Sequence, residues 1–311
     1  MNEQQLVSVL VLTYNSSNYI IDTLDSIAQQ TYPNIELIVS DDGSTDDTHS
    51  KVKSWMEEHM GRFAKATFLS DGLNHGTVKN INRAVKHAEG QWIKGIAGDD
   101  TLCVDAIERY LKYVRHNPEC KICVCGVNIF TTEGIEIGNL QEQYDSMLKT
   151  CDEPVEKQYK RIMKEMIFPG PTYFYKKELW TEIGGFDEHY KLSEEWAFCY
   201  NVLNHGYKIF CIYEKLVNYR LSSTSVCRDK KKRFGNPVWV LDNRQFFHDI
   251  RLKGLLKQGK LFTAWSQYLN YQKKYIYITK GESTFNDFII QLFDFIDPAF
   301  YYNMVRKLAN K

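Results

Sequence analysis

Apolar residues fall in short blocks, and over the first hundred positions the spacing alternates between a continuous strand-like run and a helical stripe. Leu6 to Thr13 is almost wholly apolar, as a strand buried on both faces would be. Asn18 then stands where it would cap a helix with the stripe Ile20, Leu24 and Ile27, and Tyr32-Pro33-Asn34 turns the chain into a second strand, Ile35 to Ser40. The loop Asp41-Asp42-Gly43-Ser44 follows. Asp46 or Asp47 opens the next helix, and a strand near Ala66 to Ser70, a helix from Thr77 to His87 and a strand Trp92 to Ile96 complete the series. That last strand runs directly into Gly98-Asp99-Asp100.

Strand and helix in alternation predict an α/β fold, with a mainly parallel central sheet flanked by helices. Further strand signals lie at Ile122 to Phe130, Thr172 to Tyr175 and Lys208 to Ile212, with a helix from Ser193 through Leu203. After Cys227 comes the basic run from Arg228 to Arg233. A helical stripe follows at Phe285, Phe288, Ile289, Leu292, Phe293 and Ile296. The expected organisation is a catalytic domain over 1–226 and a helical C-terminal extension over 227–311.

Charge changes the picture mainly by exclusion. Lysine plus arginine equals aspartate plus glutamate, at 39 each, so no overall field draws the chain to nucleic acid or anionic lipid, and any such binding must be local. The N-terminus has no basic region ahead of its first apolar run, and no segment approaches the roughly 20 apolar residues that cross a bilayer. A cytoplasmic protein is expected, and its eight cysteines are read as reduced thiols. The apolar stripe and the basic run allow three uses for the extension: a helix that closes the core, a homodimer contact, or peripheral association with the inner face of the membrane.

In open α/β sheets, ligands bind beyond the carboxyl ends of the strands, where loops converge and helix N-termini present free amides. Both acidic loops lie at such ends. Asp41 or Asp42 can accept from a nucleobase or a ribose, with Thr13, Tyr14 and Asn15 lining the facing edge; Asp41-Asp42-Gly43-Ser44 also reads as an ordinary turn. Asp99 and Asp100 suit Mg²⁺ or Mn²⁺ shared with phosphate oxygens, or a helix cap. Glu194 and Glu195, at the start of a helix, offer a general base or a helix terminus enriched in acid.

The ordered series VSVLVLTYN, VSDDGSTDDT, NHG with Asn82 beyond it, AEGQWIKGIAGDD, IGGFDE and SEEW closely resembles family-two glycosyltransferases over about residues 6 to 226. The resemblance implies an A-type nucleotide-sugar-binding fold and an inverting, metal-dependent displacement. It implies a nucleotide-sugar donor, with UDP foremost, and a saccharide or lipid-linked acceptor in bacterial surface polysaccharide assembly. By motif position the resemblance implies that Asp41 and Asp42 contact the nucleoside, that Asn82, Gly98, Asp99 and Asp100 belong to the donor site, that Asp99 binds the metal and that Glu195 is the catalytic acidic residue. Three positions depart from the family. Ala97 replaces its first acidic residue, Ile81 its arginine, leaving Lys79 or Arg83 as diphosphate partners, and Ser222 a frequent histidine. These departures also define the alternative, a nucleotide-sugar-binding protein with little or no turnover. A nucleotidyltransferase or a hydride-transfer enzyme is excluded, since the loop after the first strand is Thr-Tyr-Asn-Ser-Ser and holds no glycine.

Overall fold

The computed structural model describes residues 5–132, 134, 136–164, 168–222, 236–281, 283–299 and 301. By its internal contacts the chain divides into two compact units, Met1–Ser225 and Val226–Lys311.

In the first unit, β1 (Val7–Thr13), α1 (Ile20–Ala28), β2 (Ile35–Asp41), α2 (Thr48–His59), β3 (Lys65–Leu69), α3 (Thr77–His87) and β4 (Trp92–Ala97) follow the order expected from the apolar spacing. β1, β2 and β4 carry side chains buried on both faces, which is why their sequences read as continuous apolar runs. The chain continues through β5 (Thr101–Leu102), α4 (Ala106–His116), β6 (Ile122–Thr131), α5 (Leu140–Leu148), α6 (Val155–Ile162), β7 (Phe174–Lys176), α7 (Lys177–Glu182), α8 (Glu194–Asn204) and β8 (Phe210–Leu221). The sheet order is β3-β2-β1-β4-β7-β6-β8-β5. β1 pairs in parallel with β2 and β4, β2 with β3, and β6 with β8, while β7 is antiparallel to β4 and β6. The α/β expectation therefore holds, with β7 and the short β5 as the antiparallel interruptions.

Two local expectations give way. Asn18 does not cap α1: the N-cap is Tyr19, without a side-chain cap bond. The Ser16 carbonyl instead accepts from the backbone N–H groups of Tyr19 and Ile20, so main chain replaces the side chain. β8 runs to Leu221, nine residues beyond the expected end, because its second half gains a ladder with β6 and with β5 that mixed polarity along YEKLVNYRL conceals.

In the second unit α9 (Pro237–Phe246), α10 (Leu252–Lys257), α11 (Leu261–Lys280) and α12 (Thr284–Phe295) form the expected helical extension. Asn236 caps α9 and Ser283 caps α12, each accepting a backbone N–H. Phe247, Leu255 and Ala264 make its small core. The stripe on α12 does not close a core. Phe285, Phe288, Leu292 and Ile296 are exposed, and the helix is held instead through buried Asn286, whose amide donates to the Gly281 carbonyl at 2.8 Å. The basic run 228–233 lies outside the described residues.

Candidate active site

The carboxyl ends of β1, β2 and β4 meet at one edge of the sheet. Thr13 is in register with Asp41, the Asp42 N–H donates to the Thr13 carbonyl at 2.9 Å, and the Gly98 N–H donates to the Leu12 carbonyl at 2.9 Å. A Cβ at position 98 would stand 2.9 Å from Thr13 Oγ1 and 3.2 Å from Ile20 Cδ1, so a side chain there would have to push Thr13 aside. Thr13, Asp41, Asp42 and Gly98 are thus brought together. Asn15 joins them in the left-handed backbone region at φ 51°, with its side-chain carbonyl accepting the Thr45 N–H at 2.8 Å. Tyr14 stands exposed beside it.

The two aspartates after β2 are differently committed. Asp42 accepts the His75 N–H on one oxygen and the Gly76 N–H on the other, both at 2.9 Å. This fixes the loop before α3 above Gly43, where a Cβ would lie 2.6 Å from the Leu73 carbonyl carbon. Asp41 holds Ser44 and Ser70. Arg83 is a tie within the scaffold, donating to the Asp41 carbonyl at 2.7 Å and to Asn80 Oδ1 at 2.8 Å. Lys79 is exposed on α3. Asn82 is buried, donating to the Phe186 carbonyl and Glu188 and accepting the Phe186 N–H at 3.1 Å, so it positions the Gly184-Gly185-Phe186 turn.

After β4, Asp99 and Asp100 pack around Arg220 near the end of β8. The Arg220 N–H donates to Asp100 Oδ1 at 2.9 Å, its Nε to the Asp99 carbonyl at 2.8 Å, and Nη2 to Asp22 at 2.9 Å. Its guanidinium lies over Tyr19 at 4.5 Å and Phe130 at 4.7 Å. Burial raises the Asp99 carboxyl above its ordinary range despite the Arg220 charge. Burial, and then the charge of Asp99, raise Asp100 much further. Asp100 Oδ2 is buried without a hydrogen-bond partner among the described residues. Two crowded carboxylates and an orphaned oxygen fit a hard cation that takes its remaining ligands from phosphate oxygens. Among the described residues no three His, Cys, Asp or Glu side chains converge as a self-sufficient metal site. Ser222, where a family histidine often stands, is buried.

Glu195, in the first turn of α8, accepts the Gly170 N–H at 2.7 Å. It keeps partial solvent contact, and burial pushes its carboxyl up to about 7. The turn that holds it is tied to β4 by Lys94, a wholly buried lysine whose Nζ donates to the carbonyls of Pro171 and Gly95. Burial brings this ammonium down to about 8. Sequence reasoning overlooked Lys94 and the role of Arg220. A lysine inside the otherwise apolar run Trp92-Ile93-Lys94-Gly95-Ile96 was the available signal.

The profile of the family described as glycosyl transferase family 2 matches residues 8–179. The chain belongs to glycosyltransferase family 2. It is 25% identical over 231 residues to TuaG of Bacillus subtilis, a glycosyltransferase named for teichuronic acid biosynthesis, covering 74% of this chain and 85% of TuaG. With an uncharacterized glycosyltransferase of Rickettsia prowazekii it shares 24% identity over 70% of this chain and 64% of that protein. Its fold is similar to that of Staphylococcus aureus TarS residues 1–349 in complex with UDP-GlcNAc, at TM-score 0.58 and 19% identity over 98% of this chain and 88% of that one. It is similar too to the mannosyltransferase PcManGT of Pyrobaculum calidifontis in complex with GDP-Man and Mn²⁺, at TM-score 0.61 and 17% identity over 94% and 80% of the two chains. The fold is the A-type glycosyltransferase fold. As a family-two member the protein is a glycosyltransferase.

Proposed function

We propose that this glycosyltransferase carries out an inverting transfer from a nucleoside diphosphate sugar, foremost a UDP-sugar, to a hydroxyl of a saccharide or lipid-linked acceptor in surface polysaccharide assembly. The observation that carries the reading is Glu195, a partly exposed carboxylate on the rigid first turn of α8, held by the Gly170 N–H and shifted to about 7. A base with that pKa is half ionised near neutrality and well matched to taking a proton from an acceptor hydroxyl. Glu195 takes that proton as the acceptor oxygen attacks the anomeric carbon, and the nucleoside diphosphate leaves.

The edge formed by Thr13, Asn15, Asp41 and Asp42 would receive the nucleoside. A Mn²⁺ or Mg²⁺ ion bound by Asp99, beside Asp100, would supply Lewis-acid stabilisation of the leaving diphosphate. The UDP-GlcNAc complex of TarS, the GDP-Man and Mn²⁺ complex of PcManGT and the naming of TuaG support donor class, metal and setting by similarity.

The test is release of nucleoside diphosphate from a panel of UDP- and GDP-sugars with Mn²⁺, by wild type and by Asp99→Asn. Release that depends on metal and is abolished in Asp99→Asn is the expected result. Equal release by the variant removes Asp99 from the reaction. Binding of donors without release under any pairing favours the non-catalytic alternative raised by Ala97 and Ser222.

A further inference from the structure

The chain is neutral as a whole, yet residues 226–311 hold 16 of its lysines and arginines and only 7 of its aspartates and glutamates, a formal charge of +9 balanced by −9 on the first unit. Within this basic unit, α11 and α12 form a hairpin. Trp265 Nε1 donates to the Ile296 carbonyl at 3.0 Å, so the first turn of α11 lies beside the end of α12. That end is apolar and uncovered: Leu261 is 62% exposed, Phe262 78% and Phe295 63%, with Trp265, Leu292 and Ile296 also exposed. Lys257 and Lys260 are exposed just before α11. The two carboxylates nearby, Asp294 and Asp297, share the one ammonium of Lys273, so with Lys257 and Lys260 this end keeps a net positive charge.

We propose that this end of the α11–α12 hairpin docks on an anionic lipid bilayer. Large apolar side chains around a tryptophan, flanked by lysines, match the layered chemistry of a bilayer surface: Phe262, Phe295 and their neighbours enter the acyl boundary, Trp265 sits at headgroup level, and Lys257 and Lys260 meet headgroup phosphates. The helices lie on the surface, because none among the described residues is long and apolar enough to cross it. A second copy is the other way to cover an apolar face, but two units of +9 would meet across it, whereas an anionic surface is attracted by the same charge.

The test is flotation of the full-length protein with phosphatidylglycerol vesicles and, separately, phosphatidylcholine vesicles. It uses no donor and no turnover, so its outcome is independent of the proposed reaction. Wild type is expected to float with phosphatidylglycerol, weakly with phosphatidylcholine, and less as salt is raised. Phe262→Ser with Phe295→Ser, both at exposed positions that leave the fold intact, should lower the partition coefficient at least about tenfold. Lys257→Glu with Lys260→Glu should remove the preference for the anionic lipid. Wild type that ignores phosphatidylglycerol, or a Phe double variant that binds as well as wild type, overturns the proposal. A dimer in light scattering that the Phe double variant dissociates, with no vesicle binding, assigns the face to a second copy and equally overturns it.

Discussion

A Cβ on Gly170 would stand 2.1 Å from Glu195 Oε1, so the main chain that donates to this carboxylate also leaves no room for a side chain. The atom in the way is the end of a flexible side chain, not backbone. Gly170→Ala should therefore leave the fold nearly as stable as wild type while turning the Glu195 carboxylate aside. A misplacement of this size lowers kcat by about a hundredfold if Glu195 is the base. Steady-state kinetics beside a melting curve would show it. Unchanged kcat in a folded Gly170→Ala protein would mean that the carboxylate's position does not matter to turnover.

Glu195→Gln keeps the size of the side chain and an oxygen for the Gly170 N–H, and removes the proton acceptor. We expect kcat to fall by about 10²–10⁴ with donor affinity nearly intact. The wild-type kcat should rise with pH along a limb near 7, because the carboxylate is the active form. Stability should move the other way. Between the ordinary carboxyl range and about 7 the folded state holds the proton that the unfolded state releases, so wild type loses stability relative to the variant as pH rises through that window. Melting temperatures of both proteins across the window would check the sign.

Asp42→Ala removes the acceptor of two backbone N–H bonds that hold the loop before α3. The expected cost is about 1.5–3 kcal/mol of stability, as for hydrogen bonds to a charged group, together with a raised donor KM. Denaturant unfolding with donor titration separates the two effects. A variant as stable as wild type would show that Gly43 and its neighbours fix the loop without this carboxylate.

Lys94→Met exchanges a buried ammonium for an apolar chain and leaves the Pro171 carbonyl without its donor. The Gly170 turn should loosen, lowering kcat more than it raises KM. In wild type the lysine is depressed from 10.5 to about 8, so the folded state binds fewer protons than the unfolded state between those values. Wild type should thus gain stability relative to Lys94→Met as pH rises from about 8 toward 10.5, and hold the full penalty below. A flat difference between the two melting temperatures over that interval would contradict a charged lysine in the core.

The elements around the sheet edge were legible because their signals are local. β1, β2 and β4 are buried on both faces and read as unbroken apolar runs, and acidic residues directly after such runs stand at carboxyl ends by construction. α3 and α8 fall where their apolar spacing and terminal residues put them. The second half of β8 was hidden, because Tyr213-Glu214-Lys215 bulges against Gly126 and gains its ladder from β6, some ninety residues earlier in the chain. Asn18 stood at a cap position by type alone, while the Ser16 carbonyl was nearer to the free amides.

By itself the sequence determined the family, the α/β alternation, and the presence of carboxylates at the ends of β2 and β4 and at the start of α8. Only the tertiary structure decided how each polar group is employed: Asp42 and Asn82 on backbone amides and carbonyls, Arg220 between two aromatic rings and Asp22, Lys94 under the turn that holds Glu195. It also decided that Phe285, Phe288, Leu292 and Ile296 of the α12 stripe remain exposed. The physical reason is range. Periodicity and turn chemistry act between neighbours along the chain, whereas the partner of a buried charge is whatever the fold brings within about 3 Å, and residue type alone does not name it.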